Sequence, residues 1–166
     1  MPEISCSFTT QCPSKTAFIL NDSNESFLVL KARLRWEISN HINIYGVTTF
    51  VSGMTLGFDI CAAETVLELK MFYPFIKLVC VLSGENKTES RMPDFRERYC
   101  KILGRADKII NMPVNCTQNY NEYMVDMSNY IVVICDGAPG ENDNAVKYAH
   151  MQYKWISFIN PEKIYL

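Results

Sequence analysis

The chain has 166 residues, 48% of them apolar and 20% charged, and a formal net charge of −2. That length suits a single domain with a core of its own, and the near balance of charge gives no basic footprint for nucleic acid or an anionic membrane surface. Seven cysteines, an odd number with no CxxC pair, point to reduced and mostly buried thiols instead of a disulfide framework or a zinc site. The only histidines are His41 and His150, so no metal centre is expected, and no cofactor. The opening MPEISCSFTT lacks the basic-then-apolar layout of a signal peptide. The longest uncharged stretch, residues 39–58, is interrupted by Asn40, Asn43, Gly46 and Ser52 and is too polar for a membrane span. A soluble, cytoplasmic protein is expected.

In chain order, residues 4–9 form the first expected strand. After the polar NDSNES stretch, Phe27, Leu30, Leu34, Ile38 and Ile42 recur at the spacing of one helix face, with Ser23 or Asn24 as its cap. Gly46 closes that helix, and 47–51 is the second strand. Residues 59–72 carry Ala62, Ala63, Val66, Leu67 and Leu69 in helical spacing and stop at Tyr73-Pro74. IKLVCVL, 76–82, has the unbroken apolar character of a strand buried on both faces. The loop SGENKTESRMP leads to a charged helix over 94–103, a weaker strand over 106–111 and a helix over 118–128. YIVVIC, 130–135, is a further buried strand followed by DGAPGEND; a helix over 144–152 and a strand over 155–159 complete the order.

Six strands separated by five helices predict an α/β fold, a Rossmann-like three-layer sandwich with a mostly parallel sheet and helices on both faces. One domain spans 1–166. In such folds ligands sit outside the carboxyl ends of the strands, near the reversal of strand order. The segments to watch are therefore 9–13, 52–59, 82–86 and 136–142.

Two of these are glycine turns. In SGMTLGFD, the glycines permit close backbone approach, and the following helix offers free N–H groups and a positive dipole end to an anion. The Gly-x-x-x-Gly spacing is neither GxGxxG nor a Walker loop, so an anion or nucleotide site and a merely tight corner both remain open. Asp59 in the first helical turn is favourable for the dipole but would repel a phosphate, which places it on ribose hydroxyls or a base amino group if it touches a nucleotide. Glu64 on the same helix offers a second carboxylate. CDGAPGEND repeats the strand–glycine–helix logic with Asp136, Gly137 and Gly140. No catalytic set stands out: His41 and His150 lie in helix patterns and are read as structural, and the aromatic, methionine-rich run from Tyr120 to Met127 is read as packing, with Tyr123 available to stack on a base.

Taken together, SGMTLGFDICAAE, YPFIKLVCVL, RERYCKILGRAD and NEYMVDMSNYIVVICDGAPG resemble the YpsA-like branch of the SLOG superfamily. These are Rossmann-like modules related to the DNA-processing protein DprA and to Lonely Guy phosphoribohydrolases. The resemblance implies a pocket for a nucleotide or nucleotide derivative, with the two glycine loops as its walls. By position, Ser52, Gly53, Met54, Gly57, Asp59 and Glu64 match the first motif, and Asp136, Gly137 and Gly140 the second. Thr9 and Thr10 stand at the first loop, and Glu141 and Asn142 extend the last.

The departures are informative. Members usually open with a TGHRP-like loop, where this chain reads Thr9-Thr10-Gln11-Cys12-Pro13, and a PGGT-like turn is replaced by Pro139-Gly140-Glu141-Asn142. Tyr120 occupies the place of a common arginine. Losing two cations and gaining Glu141 weakens phosphate binding, each charge-assisted contact being worth roughly 1.5–3 kcal/mol. This weighs against a Lonely Guy-type enzyme and favours a binding module that senses or sequesters a nucleotide-derived ligand such as an ADP-ribose-like or signalling nucleotide. The alternatives are a nucleotide N-glycosidic or phosphoester hydrolase using Glu64, Asp59 or Glu141, and a protein-interaction module with a vestigial pocket. The expected partner is a small nucleotide-derived molecule, with neither nucleic acid nor membrane; a homodimer is left open. On this reading, Gly53→Val or Gly140→Val removes binding while leaving the fold intact.

Overall fold

The computed structural model describes residues 3–10, 25–55, 58–83, 93–112, 119–134 and 144–159. Their order is β1 (Ser5–Thr10), α1 (Glu25–Asn43), β2 (Thr49–Ser52), α2 (Phe58–Leu69), β3 (Lys77–Leu82), α3 (Pro93–Arg105), β4 (Lys108–Asn111), α4 (Tyr120–Asp126), β5 (Tyr130–Ile134), α5 (Asn144–Met151) and β6 (Trp155–Ile159). The six strands form one sheet in the order β4-β3-β2-β1-β5-β6, and every pairing is parallel. The expected Rossmann-like sandwich is the fold observed.

The strand order grows outward from β1 in two directions, so the reversal lies between β1 and β5. Crossovers in a parallel sheet are right-handed, so the two directions put their helices on opposite faces. Helices α1, α2 and α3 share the larger core with Phe8, Phe50, Leu78 and Cys80, whereas α4 and α5 close the other face over Val51, Val79, Ile131 and Val133. The stripe read from α1 is the buried one: Phe27, Leu30, Leu34, Ile38 and Ile42 all lie in the core. Strand β2 begins two residues later than expected because Val47 donates its N–H back to the His41 carbonyl (2.9 Å), while Gly46, at φ 71°, turns the chain out of α1.

Helix α2 is the middle helix of its layer. All of its residues are buried except Glu64 and Glu68, and its alanines let α1 and α3 close over it. Glu68 accepts from Lys31 (2.6 Å) and Arg35 (3.1 Å) on α1, so the polar positions of α2 tie it to its neighbours. Beyond its end, Asp107 accepts from Lys70 Nζ (2.6 and 2.7 Å) and from the Leu78 amide (2.8 Å), joining the exit of α2 to the starts of β3 and β4. At the sheet centre, Ser5 donates its amide to Asn129 Oδ1 (3.0 Å) and its hydroxyl to the Met127 carbonyl (2.6 Å), fixing β1 beside β5. Among the described residues no helix is long and apolar enough to cross a membrane.

Burial raises the Asp107 pKa, but the hydrogen bonds from Lys70 and the Leu78 amide outweigh it and hold the carboxyl below its ordinary value. A depressed folded pKa gives stability that is present above the unfolded value and lost as the pH falls through the folded one. Asp107→Ala is therefore expected to lower the urea-unfolding free energy at pH 7 by about 1–3 kcal/mol, with the loss shrinking below about pH 4.

Candidate functional site

The carboxyl end of β2 lies beside that of β1, next to the reversal of strand order, and delivers the chain into the N-terminus of α2. Ser52 is fully buried; its hydroxyl donates to the Asp59 carbonyl (3.0 Å) and accepts from the Met54 amide (3.2 Å). One side chain thus ties both ends of the turn. Met54 is itself buried and sits at φ 58°, a left-handed conformation that disfavours a residue with a Cβ. The tight corner and the candidate ligand edge are the same piece of backbone.

Gly53 has a specific steric reason to be glycine. An added Cβ would run into Tyr120 Oη and fall 2.7 Å from its Cζ. The phenol hydroxyl donates to the Gly53 carbonyl, and the Val81 carbonyl lies 3.3 Å away. Close approach to this glycine is made by a side chain of the protein itself. A side chain at position 53 therefore requires the end of Tyr120 to shift, which bears on the expectation that Gly53→Val leaves the fold intact. Burial first, and then the Asp59 charge, push the Tyr120 phenol well above its ordinary range, so it acts as a neutral donor.

Asp59 is 5% exposed. Its Oδ2 accepts from Thr55 Oγ1 (2.6 Å) and from the Thr55 amide (3.3 Å), while Oδ1 is buried without a hydrogen-bond partner among the described residues. Burial pushes the carboxyl up to about 6, against the pull of the Thr55 hydrogen bonds. The helix dipole that made an acid favourable here is outweighed by desolvation.

Glu64 is placed elsewhere on the same helix. Its carboxylate takes both the Nε (3.2 Å to each oxygen) and a terminal nitrogen of Arg98 on α3. Five residues from Asp59, it stands roughly 7 Å further along the axis, and the two carboxylates do not form a pair. Thr9 is aligned with Val133 on β5, and Thr10 with Ile134, at the reversal point. Gly57, Asp136, Gly137, Gly140, Glu141 and Asn142 lie outside the described residues, as do 11–13 and 84–86.

The reading of Tyr120 to Met127 as packing holds: Met124 is buried, and Tyr120, Tyr123 and Met127 pack with Val51, Val79 and Val81. Sequence reasoning misses that Tyr120 also reaches Gly53; its one signal is that the residue stands where an arginine is common. It also misses Arg98, one of many charges on an amphipathic helix. His41 is structural as read, fully buried with Nδ1 2.8 Å from the Glu37 carbonyl and its ring edge-on to Tyr45 and Tyr130. A cavity of about 570 Å³ lies toward the amino ends of the strands, lined by Glu3, Thr49, Val51, Lys77, Asp107 and Lys108 among others.

An all-parallel sheet covered on both faces, with a strained strand-to-helix turn at its carboxyl edge, defines a Rossmann-like α/β module. The chain belongs to the YspA SLOG family (YpsA), whose model matches residues 14–164. It is similar to an SPbeta prophage-derived protein of Bacillus subtilis (strain 168), YoqJ, described as uncharacterized: 29% identical over 147 residues, covering 78% of this chain and 85% of that protein. It is also 33% identical over 91 residues to a UPF0398 protein of Brevibacillus brevis, covering 55% of this chain and about half (48%) of that protein. Family membership suggests a nucleotide-related role.

Two outcomes follow from this geometry. An acid whose folded pKa is raised destabilises the fold once ionised, so the Asp59 contribution favours folding below the unfolded value and is lost as the pH rises through about 6. At 1.36 kcal/mol per pH unit, the cost is roughly 3 kcal/mol above that point. Asp59→Asn is expected to flatten this part of the profile, making the variant relatively more stable at pH 8 than at pH 4 in paired thermal melts. Gly53→Ala is expected to cost about 1–3 kcal/mol by overpacking. Most of that cost should disappear in a Tyr120→Ala background, as a double-mutant unfolding cycle would show.

Proposed function

We propose that the protein binds a nucleotide or nucleotide derivative at the carboxyl edge of β1 and β2, against Ser52, Gly53, Met54 and Asp59, and senses or sequesters it without chemistry of its own. The observation that carries this reading is Asp59 Oδ1, a buried acceptor with no partner among the described residues, at the first turn of a helix beside the sheet reversal. Leaving such a group unsatisfied costs on the order of 1–3 kcal/mol, which a ligand donor would recover. A ribose hydroxyl or base amino group meets that need; a phosphate does not. Thr9 and Thr10 end the neighbouring strand and extend the same edge.

Two observations bear on the alternatives. Glu64 is held by Arg98, which removes it from ready proton transfer, so a hydrolase would rest on Asp59, whose carboxyl near 6 is poised between its two forms. The seating of Tyr120 on Gly53 favours the reading of an interaction module with a filled cleft.

Native mass spectrometry of the freshly purified protein, joined to thermal shifts with a panel of nucleotides, NAD-derived compounds and cyclic dinucleotides, separates these readings. A ligand at one hundred times its Kd stabilises by about 2.7 kcal/mol, or a rise of roughly 5–10 °C for a chain of this size. That response, reduced at least tenfold in affinity by Asp59→Ala, is the expected result. No co-purified ligand and no shift across the panel would leave the interaction module as the better reading, and turnover lost in Asp59→Asn would favour the hydrolase.

A further inference from the structure

Two hydrogen-bond acceptors meet the Tyr120 hydroxyl, the Gly53 carbonyl, which receives its proton, and the Val81 carbonyl at 3.3 Å, and the Asp59 carboxylate, whose Oδ1 has no partner among the described residues, is near enough for its charge to act on the phenol. The first two are backbone groups at the carboxyl ends of adjacent parallel strands, where the ladder has run out. A site built of acceptors repels an anion and takes a donor. The group that fills it is a hydroxyl on an aromatic ring, carried on the first residue of a helix of only seven residues. The missing Cβ of Gly53 is what gives that hydroxyl room.

We propose that Tyr120 is a built-in occupant of a donor-recognising subsite, displaced when a nucleoside hydroxyl or exocyclic amine takes its place on the Gly53 and Val81 carbonyls and reaches Asp59 Oδ1. This rests on the nucleotide-binding reading above and specifies which part of the ligand enters and what must leave. The phenol is neutral and gives up one donated hydrogen bond for another to water on leaving. The ligand brings its own donor to the same acceptors. Affinity is then lowered by the fraction of molecules in which the phenol holds the subsite.

Tyr120→Phe keeps the ring but removes the donor, weakening the hold of the occupant by roughly one neutral hydrogen bond. The test is calorimetric titration of wild type, Tyr120→Phe and Tyr120→Ala with adenosine monophosphate, its 2′,3′-dideoxy counterpart and inosine monophosphate, with thermal melts confirming that each variant is folded. The expected result is adenosine monophosphate binding in wild type, about 3- to 10-fold tighter in Tyr120→Phe. One of the two altered nucleotides should bind at least tenfold more weakly, the dideoxy form if the donor is a ribose hydroxyl and inosine monophosphate if it is the amine. Equal affinities in wild type and Tyr120→Phe, or weaker binding in the variant, would overturn the occupant role and leave the nucleotide reading standing. Equal binding of all three nucleotides would overturn donor recognition. Failure of wild type and both variants to bind any of them discards this inference together with the nucleotide reading.

Discussion

Helix α2 lies beneath both α1 and α3, and burying it constrains everything around it. A helix covered on nearly every side has to be apolar almost throughout, and its two glutamates can persist only at positions where cations from the flanking helices meet them. Arg98 serves Glu64 from one neighbour, and Lys31 and Arg35 serve Glu68 from the other. The first turn has no such freedom. Asp59 enters the protein with the rest of the helix and, among the described residues, finds Thr55 for one oxygen and nothing for the other. The turn that feeds it is held shut by a single serine hydroxyl and puts Met54 into a left-handed conformation. The candidate site is in this sense a by-product of where α2 must lie, and its strain and its unmet acceptor share one cause.

The same constraint recasts the glycine motif. Glycine at a strand-to-helix corner is commonly a door for phosphate, because backbone amides there can approach an anion. Here the groups that the described residues show meeting the Tyr120 hydroxyl beside Gly53 are carbonyl oxygens, and the partner that uses the missing Cβ is a tyrosine. The loss of cationic residues, read from the sequence as a weakness in phosphate binding, fits an edge whose chemistry favours donors over anions.

Much of the architecture was legible in the amino-acid order. Apolar runs such as KLVCVL and YIVVI have no polar alternation, which only a doubly covered strand explains, and the five-residue stripe on α1 named its core face correctly. The site was legible only as a location. Nothing in the spacing of Asp59 and Glu64 shows that one is buried with an oxygen that has no partner among the described residues and the other clasped by an arginine 34 residues away. Contacts of that range depend on which helix becomes the middle one, a tertiary fact with no local signature. Tyr120 was hidden for the same reason: 67 residues separate it from Gly53, and an aromatic among methionines looks like packing from either direction. It is packing, and it also ends in a hydroxyl.

Strand β1 has one more consequence, for the order in which the molecule can be assembled. It lies between β2 on one side and β5 on the other, and Ser5 is bonded to Asn129 across 124 positions. During synthesis the first strand can therefore find β2 early, but its other edge stays open until residues beyond 130 have left the ribosome. A half-made chain presents the middle of its own sheet to solvent, with Ser7, Phe8 and Thr9 lacking the hydrogen bonds that Ile131, Val132 and Val133 later supply. Such long-range closure slows folding, and it makes the second half of the protein the chaperone of its first strand.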